Sequence, residues 1–253
     1  MRENDTAPFK LLDPFVALAL LTRLPMPALP DHAFKRQAMA SWAFPLVGLV
    51  VGAMAAIAGG VSLGVGLPVW IAGGLALVVQ TIATGALHED GLADTVDGFW
   101  GGWAIDRRLE IMKDSRIGTY GVLALVFSVG LRWAALSVIL THSAWILVAV
   151  AVASRMGLPA MMSALPRVRP GGLSDTVGEP PAPSVLLSGF LGLVLVGIIL
   201  GADMAVAVLA TILAVWICGA VARAKIGGQT GDVLGATQQV TELACLIALA
   251  AAL

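Results

Sequence analysis

Apolar runs long enough to cross a bilayer recur through most of this chain, and no other feature narrows its fold as much. An α-helix rises about 1.5 Å per residue, so about 17–25 apolar residues traverse a hydrocarbon layer about 30 Å thick. Such runs are read at Ser41–Leu63, Pro68–Leu87, Tyr120–Leu140, Ala144–Leu165, Val185–Leu200 and Met204–Ala222, with a shorter apolar segment at Leu243–Leu253. Phe15–Leu24 is too short to span and runs into Pro25, Pro27 and Pro30, which predicts an interfacial or re-entrant helix. With 58% hydrophobic and only 12% charged residues, the chain has too little polar surface to coat a water-soluble core. The expected fold is all-α: a polytopic membrane bundle of six to seven transmembrane helices with an N-terminal interfacial helix, one integral-membrane domain over residues 1–253.

Composition removes several functions. A net charge of -1 gives no electrostatic footprint for nucleic acid. Cys218 and Cys245 stand in apolar surroundings without the spacing of a disulfide framework or a zinc site. Acidic residues precede the first apolar run and no small-residue cleavage site follows it, so no cleavable signal peptide is expected.

Loop charge sets the expected orientation. Arg2, Lys10, Arg23, Lys35 and Arg36 precede the first span; Arg107, Arg108, Lys113 and Arg116 follow the second; Arg167 and Arg169 follow the fourth; Arg223 and Lys225 follow the sixth. The connections after the first, third and fifth spans carry no Lys or Arg. An even number of crossings thus separates each basic segment from the next, which places them all in the cytoplasm of a bacterial inner membrane. The polar connections 88–119, 166–184 and 223–239 lie on that same side, and the Pro- and Gly-rich 166–184 segment reads as a flexible loop.

Within 88–119 the chain reads His88-Glu89-Asp90-Gly91-Leu92-Ala93-Asp94-Thr95-Val96-Asp97-Gly98. Spacing of i, i+4, i+7 puts Asp90, Asp94 and Asp97 on one helix face, where like charges repel unless a cation sits among them. Oxygen ligands without cysteine suit a hard cation such as Mg²⁺, commonly held by one or two carboxylates with phosphates and water. In a soluble protein such acids would more often be a solvated face; at a membrane boundary, in a chain that avoids charge, they are functional candidates.

Downstream, residues 107–118 read as an amphipathic helix ending at Gly118, with Lys113 and Arg116 suited to a phosphate-bearing ligand. Asp114 is open to two roles, a further metal ligand or a partner orienting Arg116. Gly227-Gly228-Gln229-Thr230-Gly231-Asp232 permits turns that converge backbone N–H groups on an anion, but lacks the lysine of a nucleotide-binding P-loop, and structural punctuation explains it equally. Asp232 and Glu242 would add acidic ligands. Arg132 and Arg155 fall inside spans and each needs a partner. The expectation is that Arg155 meets the acidic site and that Arg132 is structural.

Carboxylates, adjacent cations and a glycine-rich turn at one membrane face suit phosphoryl transfer. The same residues resemble a family. His88, Asp90 to Thr95, Asp97-Gly98, then Leu109 to Thr119, then Gly227 to Asp232 with Leu234-Gly235-Ala236, are similar to the signatures of the cobalamin synthases, the adenosylcobinamide-GDP ribazoletransferases. Thr22-Arg23-Leu24-Pro25 and Phe44 to Gly48 extend the resemblance over nearly the whole chain.

The resemblance implies a Mg²⁺-dependent, multi-pass inner-membrane enzyme, surrounded by lipid and open to oligomerisation. It would join adenosylcobinamide-GDP to α-ribazole or its 5'-phosphate, giving adenosylcobalamin or its phosphate and releasing GMP. It implies that Asp90, Asp94 and Asp97 carry metal and base and that His88, Lys113, Arg116, Arg155, Gly228, Gln229, Thr230 and Gly231 contact substrate. Asp114, Asp232 and Glu242 would be further metal ligands. Glu89 stands where the family pattern expects an apolar residue, and Gln239 where it expects an acid. Two alternatives remain open at this stage. A divalent cation transporter would gather polar groups near the midplane. A CDP-alcohol phosphotransferase wants Ala-Arg after its Asp-Gly pair, where this chain has Ala93-Asp94.

Overall fold

The computed structural model describes residues 9–253; Arg2, counted above with the first basic segment, lies outside the described residues. The helices are α1 (Asp13–Leu21), α2 (Asp31–Phe34), α3 (Gln37–Ala40), α4 (Phe44–Gly64), α5 (Val69–Thr84), α6 (Leu87–Gly101), α7 (Ile105–Ile111) and α8 (Thr119–Ile139), followed by α9 (Ile146–Met156), α10 (Leu158–Ala164), α11 (Leu173–Val177), α12 (Ala182–Leu200), α13 (Met204–Ile226) and α14 (Gly231–Ala252). Among the described residues no strand forms beyond one isolated bridge.

Among the described residues five helical segments are long and apolar enough to cross a membrane: Gln37–Gly64, Thr119–Ile139, Ile146–Ala164, Ala182–Ile226 and Gly231–Ala252. The pair Val69–Thr84 and Leu87–Gly101 adds a sixth if counted as one bent span. Ala182–Ile226 is 45 residues, about 68 Å of helix, over twice the hydrocarbon thickness. It doubles back at Gly201 (φ 58°, ψ -122°). Both its ends return to one place, since Ser163 Oγ donates to the Pro180 carbonyl (2.8 Å) and Gln229 N to that of Pro166 (2.8 Å). Helices α12 and α13 are therefore antiparallel passes, where the sequence reading put its fifth and sixth spans. The all-α polytopic bundle is borne out.

The centre of the bundle is α9, all of whose residues are buried. Its span breaks at Gly157 because Pro159 lacks an N–H and its ring would crowd the Arg155 carbonyl, so α10 starts afresh. Side chains such as Ile198, Leu209, Ile212, Phe190 and Trp216 instead point outward, an arrangement that lipid tolerates and water does not. At the N-terminus α1 is nine residues long, too short to cross, and is pinned by buried Asp13, which pairs with Arg36 (3.4 Å) and accepts from Trp42 Nε1 (3.0 Å).

Three boundaries differ from expectation. The second span ends at Thr84, not Leu87, because Gly85 (φ 63°) and Ala86 (φ 57°) are both left-handed and turn the chain by 87°. Helix α6 therefore leaves the axis of α5 and lies alongside α8, with Asp97 at Gly118 and Gly121 and Glu89 at Arg132. The connection expected at 223–239 is only residues 227–230, because α13 continues to Ile226 and α14 begins at Gly231. The polar residues that suggested a loop, Gln238, Gln239 and Glu242, are turned into the bundle, so α14 is a full 22-residue helix. The amphipathic helix expected at 107–118 is α7 alone, and 112–118 are turns.

Candidate active site

Helices α6 and α14 cross with their first turns together. A Cβ at Gly91 would stand 2.7 Å from the Asp232 carbonyl oxygen, and one at Gly235 3.3 Å from His88 Cα, so two glycines permit this approach. The crossing brings Asp90 and Asp232, 142 positions apart in the chain, to the wall of one cleft of about 100 Å³ with His88, Arg169, Ser174 and Gly231. Leu20, Phe44, Leu158 and Met162 form its apolar side.

One turn beyond Asp90, half-buried Asp94 feels this arrangement. Burial first, then the charges of Asp90 and Asp232, push its carboxyl up to about 7; Arg169 opposes them. Among the described residues no three His, Cys, Asp or Glu side chains are close enough to enclose an ion. The oxygen-only set of Asp90, Asp94 and Asp232 fits the other mode, in which Mg²⁺ takes one or two carboxylates and completes its shell with water and substrate phosphate. The excess negative charge registered at Asp94 is what such a cation would neutralise.

Other expected site residues are placed elsewhere. Both carboxylate oxygens of Asp97 accept backbone N–H groups, from Gly118 (2.7 Å) and Gly121 (2.9 Å). Asp97 thus anchors the N-terminus of α8, where a negative charge is favourable, and is not among the residues that line the cleft. Lys113 is exposed, and Arg116 (side chain 87% exposed) pairs with Asp114 at 2.7 Å. Hydrogen bonds from Arg116 hold the Asp114 carboxyl down at about 2. None of the three lines the cleft. The physical reason is that α7 stops at Ile111 and Met112 takes the buried position, which turns the polar residues after it outward.

The glycine-rich turn also differs from an open anion nest. Gly228 lies so close to the Pro166 carbonyl that a Cβ there would meet its oxygen. Gln229 is fully buried: its N–H donates to Pro166 (2.8 Å), its carbonyl accepts from Val168 N (3.2 Å) and its Oε1 accepts from Ser174 Oγ (2.6 Å). Thr230 caps α14, accepting from Val233 N (3.3 Å). Only Gly231 of the four expected turn residues faces the cleft. The turn is a clamp on the 166–172 loop, and that loop delivers Arg169. Sequence reasoning missed Arg169 except as a marker of orientation. Its one signal was a pair of arginines, Arg167 and Arg169, between Pro166 and Pro170-Gly171-Gly172, and nothing in the linear sequence sets either opposite the acids.

Glu242 follows Asp232 by ten residues on α14, about 15 Å of rise, so one ion cannot touch both. It pairs instead with Arg132 (3.4 Å) and accepts from Gln238 Nε2 (2.7 Å). Arg155 donates to the Ala151 carbonyl (3.0 Å) and Ser154 Oγ (3.3 Å) and stays below the cleft. Arg132 is structural, as expected.

The sequence profile of the family described as Cobalamin-5-phosphate synthase matches residues 13–250. The chain belongs to this family. It is 44% identical over 241 residues to an adenosylcobinamide-GDP ribazoletransferase of Bradyrhizobium diazoefficiens, covering 93% of this chain and 92% of the relative. Proteins of the same description from Mesorhizobium japonicum (43%; 98% and 96% covered) and Brucella canis (41%; 95% and 97%) are similarly related. No solved structure matches. The chain is thus a transferase of cobalamin synthesis. Glu89 and Gln239, set apart above as expected departures, touch each other: Gln239 Nε2 donates to Glu89 Oε1 (3.3 Å), and both side chains accept from Arg132.

Proposed function

We propose that the cleft between α6 and α14 joins adenosylcobinamide-GDP to α-ribazole or its 5'-phosphate, with Mg²⁺, giving adenosylcobalamin or its 5'-phosphate and GMP. The observation that carries this reading is the meeting of Asp90 and Asp232 in one cleft, beside an Asp94 whose carboxyl takes a proton near neutrality. The relatives' description names the GDP-linked substrate and the ribazole group.

The ribazole hydroxyl oxygen bonds to the phosphorus nearest the cobinamide, and the bond from that phosphorus to the GMP oxygen breaks. Asp94, one turn beyond Asp90 on the same face of α6, accepts the hydroxyl proton. Asp90 and Asp232 would hold the metal, and Arg169 lies beside them at the same cleft. Mg²⁺ supplies neutralisation of phosphate charge in the transition state. The apolar wall of Leu20, Phe44, Leu158 and Met162 keeps bulk water from competing with the hydroxyl.

The location follows from charge. The positive-inside pattern supports a multi-pass protein of the bacterial inner membrane with this cleft on the cytoplasmic side. A transporter is disfavoured because the unbalanced acids gather at one end, while the buried acids Glu89 and Glu242 are both paired to Arg132. The test is direct: purified full chain in detergent, given adenosylcobinamide-GDP and α-ribazole, is expected to release GMP with Mg²⁺ and none with a chelator. Equal release in both conditions would remove the metal from the reading, and no release would remove the reading.

A further inference from the structure

Arg169 reaches the acids from a loop, and its position is imposed rather than incidental. Pairing of Pro166 and Val168 with Gln229 docks the loop against the start of α14. Arg169 Nη1 then stands 2.5 Å from Asp232 Oδ2. The other donors of the same guanidinium, Nε and Nη2, are buried without any hydrogen-bond partner. A donor left so costs folding free energy, about 1–3 kcal/mol for a neutral group and more for a charged one. Two of them sit on one edge of a side chain that lines the cleft.

That edge has a defined chemistry. Nε and Nη2 present two parallel N–H bonds, the fork that matches two oxygens of a phosphate or carboxylate. In Arg116 the corresponding edge is already used, with Nε and Nη2 both donating to Asp114. In Arg169 it is unused, and the carboxylate that tethers the group binds the opposite nitrogen. Tether and fork are thus separate, which leaves the guanidinium oriented before any anion arrives.

We propose that Arg169 is the residue that binds the diphosphate of the nucleotide-linked substrate, donating from Nε and Nη2 to two phosphate oxygens while Asp232 holds Nη1. Asp232 then links the metal and the arginine, so that both charges brought to the diphosphate are set by one side chain. This assignment rests on the transferase reading above and gives the 166–172 loop its function: it carries the cation that 113–116 does not.

The experiment uses the full chain in detergent with Arg169→Ala, Arg169→Lys and Arg167→Ala. Two readouts run in parallel: KM for each substrate from GMP release, and affinity for inorganic pyrophosphate with Mg²⁺ by calorimetry. Arg169→Ala is expected to raise KM for adenosylcobinamide-GDP about 10- to 100-fold, the worth of a charged hydrogen-bond pair, with a parallel loss of pyrophosphate affinity. KM for α-ribazole is expected to stay within about twofold. Arg169→Lys, which keeps the charge but not the fork, is expected to recover only part of the loss. Arg167→Ala removes a half-exposed partner of Asp175 on the same loop and is expected to leave all values near wild type, which controls for loop collapse. Unchanged pyrophosphate affinity in Arg169→Ala, or equal KM increases for both substrates, would overturn the proposal. Should the wild-type chain release no GMP, the transferase reading falls while pyrophosphate binding still decides the role of Arg169.

Discussion

Two polar constellations join α6 to α14, and they are built on opposite principles. Near the surface, Asp90, Asp94 and Asp232 gather around one guanidinium, that of Arg169. Deeper, Glu89 and Glu242 face Arg132, with Arg155 nearby, and the amides of Gln238 and Gln239 donate to Glu242 and Glu89. The deep set balances two acids with two arginines; the surface set leaves three acids to one. A matched network in low dielectric positions helices and resists being opened. An unmatched one is stable only where something positive can still arrive. The difference identifies which charges serve the bundle and which serve chemistry, though both lie on the same two helices.

Substitutions can break that contrast. The largest effect is expected from Asp94→Asn, a loss of product formation of about 10²–10⁴-fold if Asp94 accepts the proton, with thermal stability in detergent near wild type. Next, Arg132→Ala leaves two buried carboxylates without the cation they share and is expected to destabilise by about 3–5 kcal/mol, read as a lower unfolding midpoint. The pair Glu89→Gln with Gln239→Glu moves the acid from α6 back to α14, and is expected to be more stable than Gln239→Glu alone, which crowds three carboxylates about Arg132. A double-mutant cycle of midpoints checks this.

A smaller effect is expected from pH. The Asp94 carboxyl is raised from 3.8 to about 7 in the folded chain, so the folded state binds that proton more tightly than the unfolded one. Stability without Mg²⁺ should therefore fall as pH rises from about 4 toward 7. Mg²⁺ affinity should rise by up to about tenfold per pH unit below 7 and level off above it, because binding displaces the proton. The smallest effect is expected from Arg116→Ala: its partner Asp114 is exposed beside it, and KM for both substrates should stay within about twofold. A tenfold rise in KM for the GDP-linked substrate alone would return the phosphate role to the 113–116 segment.

Much of the fold was legible because hydropathy over a span is additive: the long apolar runs became helical within a few residues of their expected ends, the fourth as α9 and α10 on either side of Gly157. The exception, α14, shows the limit. Gln238, Gln239 and Glu242 lower the mean hydropathy, and only the partners on α6, α8 and α9 reveal that they point inward. The acidic face was legible too, since i, i+4, i+7 fixes a common face wherever the helix lies. It could not show that Asp97, last on that face, reaches the first amides of α8. Nor could it show Arg169, whose partner Asp232 lies 63 residues away and is chosen by the docking of a loop. Periodicity reports one element at a time; the site is assembled between elements.

Titration of Mn²⁺ into the full chain with pyrophosphate, followed by electron paramagnetic resonance, asks whether α6 and α14 share one ion. Wild type is expected to bind a single ion per chain, Asp90→Asn and Asp232→Asn each to lose it to a similar degree, and the double variant to be little worse than either. Undiminished binding in one single variant, or losses that simply add, would show that the two aspartates do not grip the same cation.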